Sequence, residues 1–236
     1  MVSNSLTSSP CCKRSGSPDI RIAVRSAYAE LISKKSCCGS NNDLYFGCGD
    51  PVINLGVGRG KPHKILDLGC GSGYDLTRLA QKLDSDSVVV GVDMTHEMIV
   101  NAQKRVKEVG LRNVDLILAD IASLPLYYSS VDAAISNCVI NLTRSKSRVF
   151  KEVHRVLKEG GMLVVSDIVS DKRIPSEYKK NVKLWSKCLS GAITLKSYLK
   201  ALNSNGFSTR ILNKGLWKKI GGYKFYTVTL TARKNS

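Results

Sequence analysis

The segment ILDLGCGSG, residues 65–73, limits the possible folds more than any other part of the chain. It continues a short apolar run that begins at Lys64, and it is followed by the helical pattern TRLAQKL. Its three glycines, Gly69, Gly71 and Gly73, permit a tight turn whose backbone can come close to a ligand. A glycine-rich turn between a strand and a helix is typical of α/β domains that bind nucleotide-like cofactors. The segment therefore predicts a cofactor site at the carboxyl end of a strand.

The surrounding sequence alternates short apolar strands with amphipathic helices. KILDL, SVVVGVD, VDLILAD, VDAAISN and MLVVSDIV are predicted strands, and KSRVFKEVHRVLKEGG predicts a helix that ends at its glycines. Such alternation indicates parallel strands joined by right-handed crossovers. FSTRIL and YKFYTVTLTA predict two late strands, the second of them antiparallel. The predicted fold class is α/β: a Rossmann-like, mostly parallel sheet of the seven-strand type with helices on both faces, plus a small basic C-terminal segment.

Composition divides the chain into four parts. We expect a disordered Ser-rich tail at 1–18, an N-terminal helix and cysteine loop at 19–60, a cofactor-binding core at 61–170, and a basic substrate-capping segment at 171–236. The net charge is +17, and the last segment holds 15 Lys and Arg against 2 Asp and Glu. A basic segment can bind nucleic acid, a membrane surface or an acidic peptide. Because few aromatic residues lie among the lysines and no nucleic-acid motif is present, we interpret the charge as solvated surface and expect no nucleic-acid partner.

Other features of the composition indicate a compartment. No stretch approaches the roughly 18 apolar residues that a membrane helix requires, so we expect no membrane partner. The first residues lack the apolar run of a secretory signal. Eight cysteines in such a chain favour reduced thiols in the cytosol. We therefore predict a cytoplasmic protein, and we expect it to be a monomer.

Two acidic residues beside the glycine loop indicate the kind of cofactor. The spacing is G-x-G-x-G with Asp67 just before it, not the G-x-G-x-x-G of dinucleotide enzymes. Asp67 would repel a pyrophosphate but suits a cationic amino or sulfonium group. Asp93 ends the next predicted strand, where a carboxylate can accept hydrogen bonds from ribose hydroxyls. The alternative is a glycine-rich turn in a Rossmann-like domain that binds no cofactor.

This loop resembles that of the class I S-adenosylmethionine-dependent methyltransferases. The resemblance implies S-adenosyl-L-methionine as the cofactor and places Asp120, at the end of the third predicted strand, against the adenine. It also implies three further cofactor-binding residues, namely Met94, Ile121 and Asn137.

Three cysteines stand alone in distinctive contexts: Cys48 in YFGCGDP, Cys138 in SNCVINL and Cys188 in KCLSGA. Cys138 follows the fourth predicted strand, and ligands of open parallel sheets bind beyond the carboxyl ends of the strands. We expect the segments that carry the other two to fold over the same edge. Each cysteine alone could be a small buried apolar residue. A structural zinc held by Cys37, Cys38 and Cys48 is a second alternative, although adjacent cysteines suit a tetrahedral site poorly.

These contexts, together with GVDMTHEM, closely resemble the arsenite methyltransferase family over roughly residues 20–205. The resemblance implies that the thiolates of Cys48, Cys138 and Cys188 hold trivalent arsenic, and that no other metal is bound. It implies a disulfide relay through Cys37 and Cys38, with a disulfide from one of them to Cys48, or between Cys48 and Cys138. The implied partners are arsenite or its glutathione conjugate and a reductant, thioredoxin or glutathione, in arsenite detoxification.

The chemistry of arsenic agrees with a cysteine site. As(III) is soft and thiophilic, so thiolates suit it better than carboxylates or imidazoles. Three thiolates leave a lone pair on arsenic that can attack a sulfonium methyl group without a general base. Two alternatives remain: methylation of another small molecule, and methylation of RNA through the basic C-terminal segment.

Overall fold

The computed structural model describes residues 19–36, 47–57, 60–179, 185 and 188–235. The helices are α1 (Ile20–Ser36), α2 (Tyr74–Lys82), α3 (His96–Glu108), α4 (Lys146–Val156), α5 (Ser176–Lys179) and α6 (Leu195–Asn203). The strands are β1 (Lys64–Leu68), β2 (Val88–Asp93), β3 (Val114–Leu118), β4 (Val131–Asn137), β5 (Leu157–Ser170), β6 (Phe207–Ile220) and β7 (Tyr223–Lys234). The predicted tail at 1–18 and the predicted relay residues Cys37 and Cys38 lie outside the described residues.

The seven described strands form one sheet in the order β3-β2-β1-β4-β5-β7-β6. Strands β1 to β5 pair in parallel, and β7 is antiparallel to both β5 and β6. The chain moves outward from β1 to β3 and then returns to place β4 on the other side of β1. Ligands of such sheets bind at this switch point, beyond the carboxyl ends of the strands. The mostly parallel sheet predicted from the sequence is confirmed.

Each face of the sheet has its own apolar core, because side chains alternate between faces along a strand. Ile65 of β1 and Val89 of β2 belong to a cluster with α2 and α3, including Leu76, Leu79 and Ile99. Their neighbours Leu66 and Val90 belong to the opposite cluster with α4 and α6, including Phe150, Val153, Tyr198 and Leu202. Helices therefore cover both faces, as predicted. No helix in the described ranges is both long and apolar enough to cross a membrane.

The sheet continues past the boundary predicted at residue 170. Strand β7 lies between β5 and β6, with Val228 and Leu230 buried in the core. The outer strand β6 is exposed along most of its length from residue 211 to residue 219. Two strands of the basic segment thus complete the sheet, and the predicted division into a core and a cap stays a prediction.

The end of α4 differs from the prediction. The pattern predicts a helix through the glycines of VLKEGG, whereas α4 ends at Val156 and β5 begins at Leu157. Leu157 is fully buried and pairs with Val131, and the register then shifts before the next pair. Gly160 takes a positive φ of 68° within this irregular stretch. The glycines that looked like a helix end therefore allow a bulge in a strand.

Candidate active site

A cavity of about 520 Å³ opens beyond the carboxyl ends of β1, β2 and β4. Residues of α1 also line it, Val24 and Tyr28 among them. Of the residues predicted to bind the cofactor, Gly73 alone does not line the cavity. The others are Asp67, Gly69, Gly71, Asp93, Met94, Asp120, Ile121 and Asn137. The strand ends therefore bring the predicted residues to one place.

The glycine loop follows β1, and its backbone has positive φ values that residues with a side chain rarely adopt. Gly69, Gly71 and Gly73 have φ values of 68°, 54° and 82°. A Cβ on Gly69 would overlap the side chain of Val139, just after Cys138. The Asp93 carboxylate accepts a 3.0 Å hydrogen bond from the Gly71 backbone N–H, which holds the loop against the end of β2.

Asp67 is the most unusual group of the cavity. Its side chain is buried, and its Oδ2 atom has no hydrogen-bond partner among the described residues. Burial raises the pKa of Asp67 well above its usual value, and the negative charges of Asp75 and Asp93 raise it further. A buried carboxylate without a partner is costly, and a cation would offset that cost. The residues present therefore fit a cationic group of S-adenosylmethionine, its ammonium or its sulfonium.

The opposite end of the cofactor region involves α1. Asp120 accepts a 2.8 Å hydrogen bond from the Ala122 backbone N–H, and its other oxygen lies 3.6 Å from Arg21 of α1. Ile121 is buried beside it, and Met94 is half-buried at the end of β2. The first helix is thereby connected to the loop that follows β3.

The three cysteines implied as arsenic ligands lie close together. Cys48 and Cys138 form a disulfide with a Cα–Cα distance of 5.9 Å, one of the two arrangements that the resemblance implies. The buried Cys188 thiol donates to the Cys138 backbone oxygen at 3.1 Å. Burial raises the pKa of Cys188, and the negative charge of Asp167 raises it further. Among the described residues, no three His, Cys, Asp or Glu side chains are grouped as a metal site.

Asn137 lines the cavity and also holds the loop that carries Cys48. Its Oδ1 atom accepts from the Cys48 backbone N–H at 2.9 Å. Its Nδ2 atom donates to the Gly49 carbonyl at 2.9 Å and to Asp75 Oδ2 at 2.7 Å. The residue predicted to bind the cofactor thus joins three segments of the chain at the end of β4.

Tyr28 and Asp75 line the cavity, although the predicted set of site residues omits them. Tyr28 is part of the apolar cluster around Cys138 and Cys188, and burial raises the pKa of its hydroxyl. Its spacing of four residues from the buried Val24 is the signal that could have found it. Asp75 follows the last loop glycine closely, but nothing in its local sequence indicates that Asn137 lies beside it.

Comparisons with known proteins agree with this geometry. The family described as methyltransferase domain matches residues 60–221. The arsenite methyltransferase of Halobacterium salinarum is 38% identical over 165 residues, which cover 70% of this chain and 42% of that protein. The arsenite methyltransferase of Aquipseudomonas alcaligenes is 32% identical over an alignment of 246 residues, with 96% of this chain and 66% of that protein covered. This chain thus spans between two fifths and two thirds of the length of these two curated relatives.

A solved structure gives the corresponding comparison of folds. The crystal structure of an arsenic (III) S-adenosylmethionine methyltransferase from Chlamydomonas reinhardtii has a TM-score of 0.71 to this chain at 30% identity. The match covers 90% of this chain and 74% of that one. Sequence, fold and the grouping of the cysteines therefore agree, and the chain belongs to the arsenite methyltransferase family of S-adenosylmethionine-dependent methyltransferases.

Proposed function

We propose that this chain transfers a methyl group from S-adenosylmethionine to trivalent arsenic held by Cys48, Cys138 and Cys188. The observation that supports this most directly is the grouping of the three cysteines beside the cavity. Two are bonded to each other, and the third lies 3.1 Å from the backbone oxygen of Cys138. Cys138 itself lines the same cavity as Asp67 and the glycine loop.

The protons of the thiols do not prevent binding. Burial keeps Cys188 protonated near neutral pH, because its pKa is raised. Arsenite carries three hydroxyl groups, and each thiol that replaces one releases its proton within a water molecule. Arsenite can therefore bind three protonated thiols without a general base, as its soft character favours.

The cofactor and the substrate have complementary chemistry. Bound S-adenosylmethionine supplies a methyl group on a positively charged sulfur, which is electrophilic towards a lone pair on arsenic. Asp67, whose pKa is raised by burial, is the carboxylate that would offset the positive charge of the cofactor. Holding the two reactants in one cavity supplies orientation, which accounts for a large part of the rate in such transfers.

The disulfide suggests how the arsenic is returned to the trivalent state. Methylation at the lone pair formally oxidises arsenic from As(III) to As(V), and two thiols that close into a disulfide can return two electrons. The Cys48–Cys138 disulfide supports this role. We propose that thioredoxin or glutathione reduces it again by thiol–disulfide exchange, with Cys37 and Cys38 as relay. The proposed setting is arsenite detoxification by a cytoplasmic monomer, with arsenite or its glutathione conjugate as substrate.

One assay tests the activity. The protein is incubated with arsenite, reduced glutathione and methyl-labelled S-adenosylmethionine, and labelled arsenicals are separated by chromatography. We expect methylated arsenic from the intact protein and from Cys11→Ser, which removes a cysteine of the predicted tail. Cys188→Ser is expected to make little or none. Unchanged product from Cys188→Ser would contradict the proposed ligand set. Labelled RNA from a parallel incubation to which RNA is added, with no labelled arsenicals from the first, would contradict the proposed substrate.

A further inference from the structure

Arg78 of α2 links the cofactor side of the cavity to the loop that carries Cys48. One guanidinium nitrogen lies 2.6 Å from Asp50 Oδ2, and the other lies 3.1 Å from Asp75 Oδ1. Asp50 is two residues after Cys48, whereas Asp75 is in the first turn of α2. A single side chain therefore joins two elements that are distant in sequence.

A second connection runs from Asp75 to the backbone of Cys48. Asp75 Oδ2 accepts a 2.7 Å hydrogen bond from Asn137, whose amide oxygen accepts from the Cys48 backbone N–H at 2.9 Å. Burial raises the pKa of Asp75, while the hydrogen bond from Asn137 and the charge of Arg78 lower it. The Cys48 loop is thus held at Cys48 through Asn137 and at Asp50 through Arg78.

The geometry distinguishes this arrangement from an ordinary surface ion pair. The side chains of Arg78 and Asp50 are 29% and 33% exposed, but that of Asp75 is only 8% exposed. Exposed pairs contribute little because solvent screens them and both side chains lose freedom. Here one cation binds two carboxylates, one of them nearly buried, and charge-assisted bonds of this kind are stronger and more directional.

We propose that Arg78 is a positioning residue for Cys48, which it holds beside Cys138 through Asp50 and Asp75. Fixing a loop raises the effective concentration of a thiol on it towards a thiol on the sheet. Where arsenic is concerned, this inference rests on the proposed function. The closeness of Cys48 to Cys138 can be measured without arsenic.

A neighbouring arginine provides a matched control. Arg78 and Arg105 lie on the same Tyr74 ring, with guanidinium carbons 5.5 Å and 5.7 Å from its centroid. Arg105 also donates to the Ser72 carbonyl, at 3.2 Å. Arg78 in addition forms the ion pair with Asp50 of the Cys48 loop. Arg105→Met therefore removes an equivalent ring contact without changing the link to Asp50.

The first experiment measures the disulfide equilibrium. Each protein is equilibrated in buffers with different ratios of reduced to oxidised glutathione, where two protein thiols and one glutathione disulfide exchange for one protein disulfide and two glutathione thiols. The Cys48–Cys138 disulfide is quantified by differential alkylation and peptide mass mapping. We expect the effective concentration of the two thiols to fall about fivefold to tenfold in Arg78→Met. Arg105→Met should stay within about twofold of the unaltered protein, and Arg78→Lys should recover part of the loss.

Asp50→Asn provides an independent variant if Arg78→Met does not fold. It leaves the pair between Arg78 and Asp75 in place, and an amide oxygen can still accept from the Ile53 backbone N–H as Asp50 does at 3.2 Å. We expect a similar loss in Asp50→Asn, and little further loss when both substitutions are combined. An unchanged effective concentration in folded Arg78→Met or in Asp50→Asn would overturn the proposal.

A second measurement separates this proposal from the proposed function. Equilibrium dialysis measures the affinity of the reduced proteins for arsenite. We expect this affinity to fall in Arg78→Met by about the same factor as the effective concentration of the two thiols. A lower effective concentration of the two thiols in Arg78→Met, together with no arsenite binding by the unaltered protein, would support the positioning role and contradict the proposed function. Unchanged arsenite affinity together with an unchanged disulfide would overturn the positioning role alone.

Discussion

The cofactor end and the thiol end of the cavity are constructed differently. The cofactor end consists of short segments that directly follow β1, β2 and β3, and its loop is held by bonds such as that from Gly71 to Asp93. The thiol end joins distant segments, since Cys48 and Cys138 are 90 residues apart and Cys188 is 50 residues further on. The parallel sheet brings the segments of the first end together. The second end depends on side-chain contacts and on the oxidation state of its cysteines.

The largest expected effect separates the two ends by removing one sulfur. Cys138→Ser should lower arsenite methylation by more than about 1,000-fold, because two thiols bind arsenic far more weakly than three and no disulfide to Cys48 can form. Binding of S-adenosylhomocysteine, measured by calorimetry, should stay within about threefold. Loss of cofactor binding in this variant would show that the two ends are not independent.

Gly69→Ala tests the point where the two ends touch. A Cβ there overlaps Val139 and requires a positive φ, so we expect a loss of about 3 kcal/mol in the free energy of unfolding. Gly222→Ala is the control: its φ is 77°, but a new Cβ would meet no described atom within 4 Å. It should lose only about 1 kcal/mol, from the backbone alone. Equal losses in urea unfolding would mean that the contact with Val139 is unimportant.

Asp167 gives the thiol end a characteristic pH dependence. Burial raises its pKa to about 6, against the opposing charge of Lys146. The folded protein then binds a proton more tightly than the unfolded chain, so this contribution to stability is present at pH 4 and is lost as the pH rises through 6. The unfolding free energy of Asp167→Asn minus that of the unaltered protein should rise by on the order of 2 kcal/mol between pH 4 and pH 7. A constant difference between the two proteins across this range would contradict the raised pKa.

The smallest expected effect concerns Asp67. Asp67→Asn should weaken cofactor binding about tenfold, because it removes the carboxylate that would lie near the cation. Its free energy of unfolding should not fall, since the substitution replaces a buried carboxyl group whose Oδ2 atom has no hydrogen-bond partner among the described residues. Calorimetry and urea unfolding measure the two quantities. A large loss of stability would mean that Asp67 holds the fold together rather than the cofactor.

What the sequence reveals follows the same division. Gly69, Asp67 and Asp93 are predictable because each stands at a fixed offset from a recognisable strand, and strand ends meet at one edge of a parallel sheet. The family resemblance leaves more than one disulfide open for Cys48, and the pairing with Cys138 depends on tertiary contacts that no sequence pattern records. The link from Asp50 to Arg78 joins positions 28 apart with no shared pattern. Long-range polar contacts of this kind leave no periodicity in the sequence.

The backbone conformation at Cys138 and Cys188 has a consequence for the substitutions that these two positions favour. Three non-glycine residues in the described part of the chain have a positive φ, and Cys138 and Cys188 are two of them, at 58° and 59°. Such a conformation costs an ordinary side chain about 1 kcal/mol and costs glycine almost nothing. Glycine at either position would relieve that strain at the loss of a sulfur. At both positions the backbone strain therefore opposes the stability that the buried cysteine side chain supplies, which at Cys138 includes the disulfide to Cys48. The proposed role of the two thiols adds a reason to keep cysteine that is independent of stability.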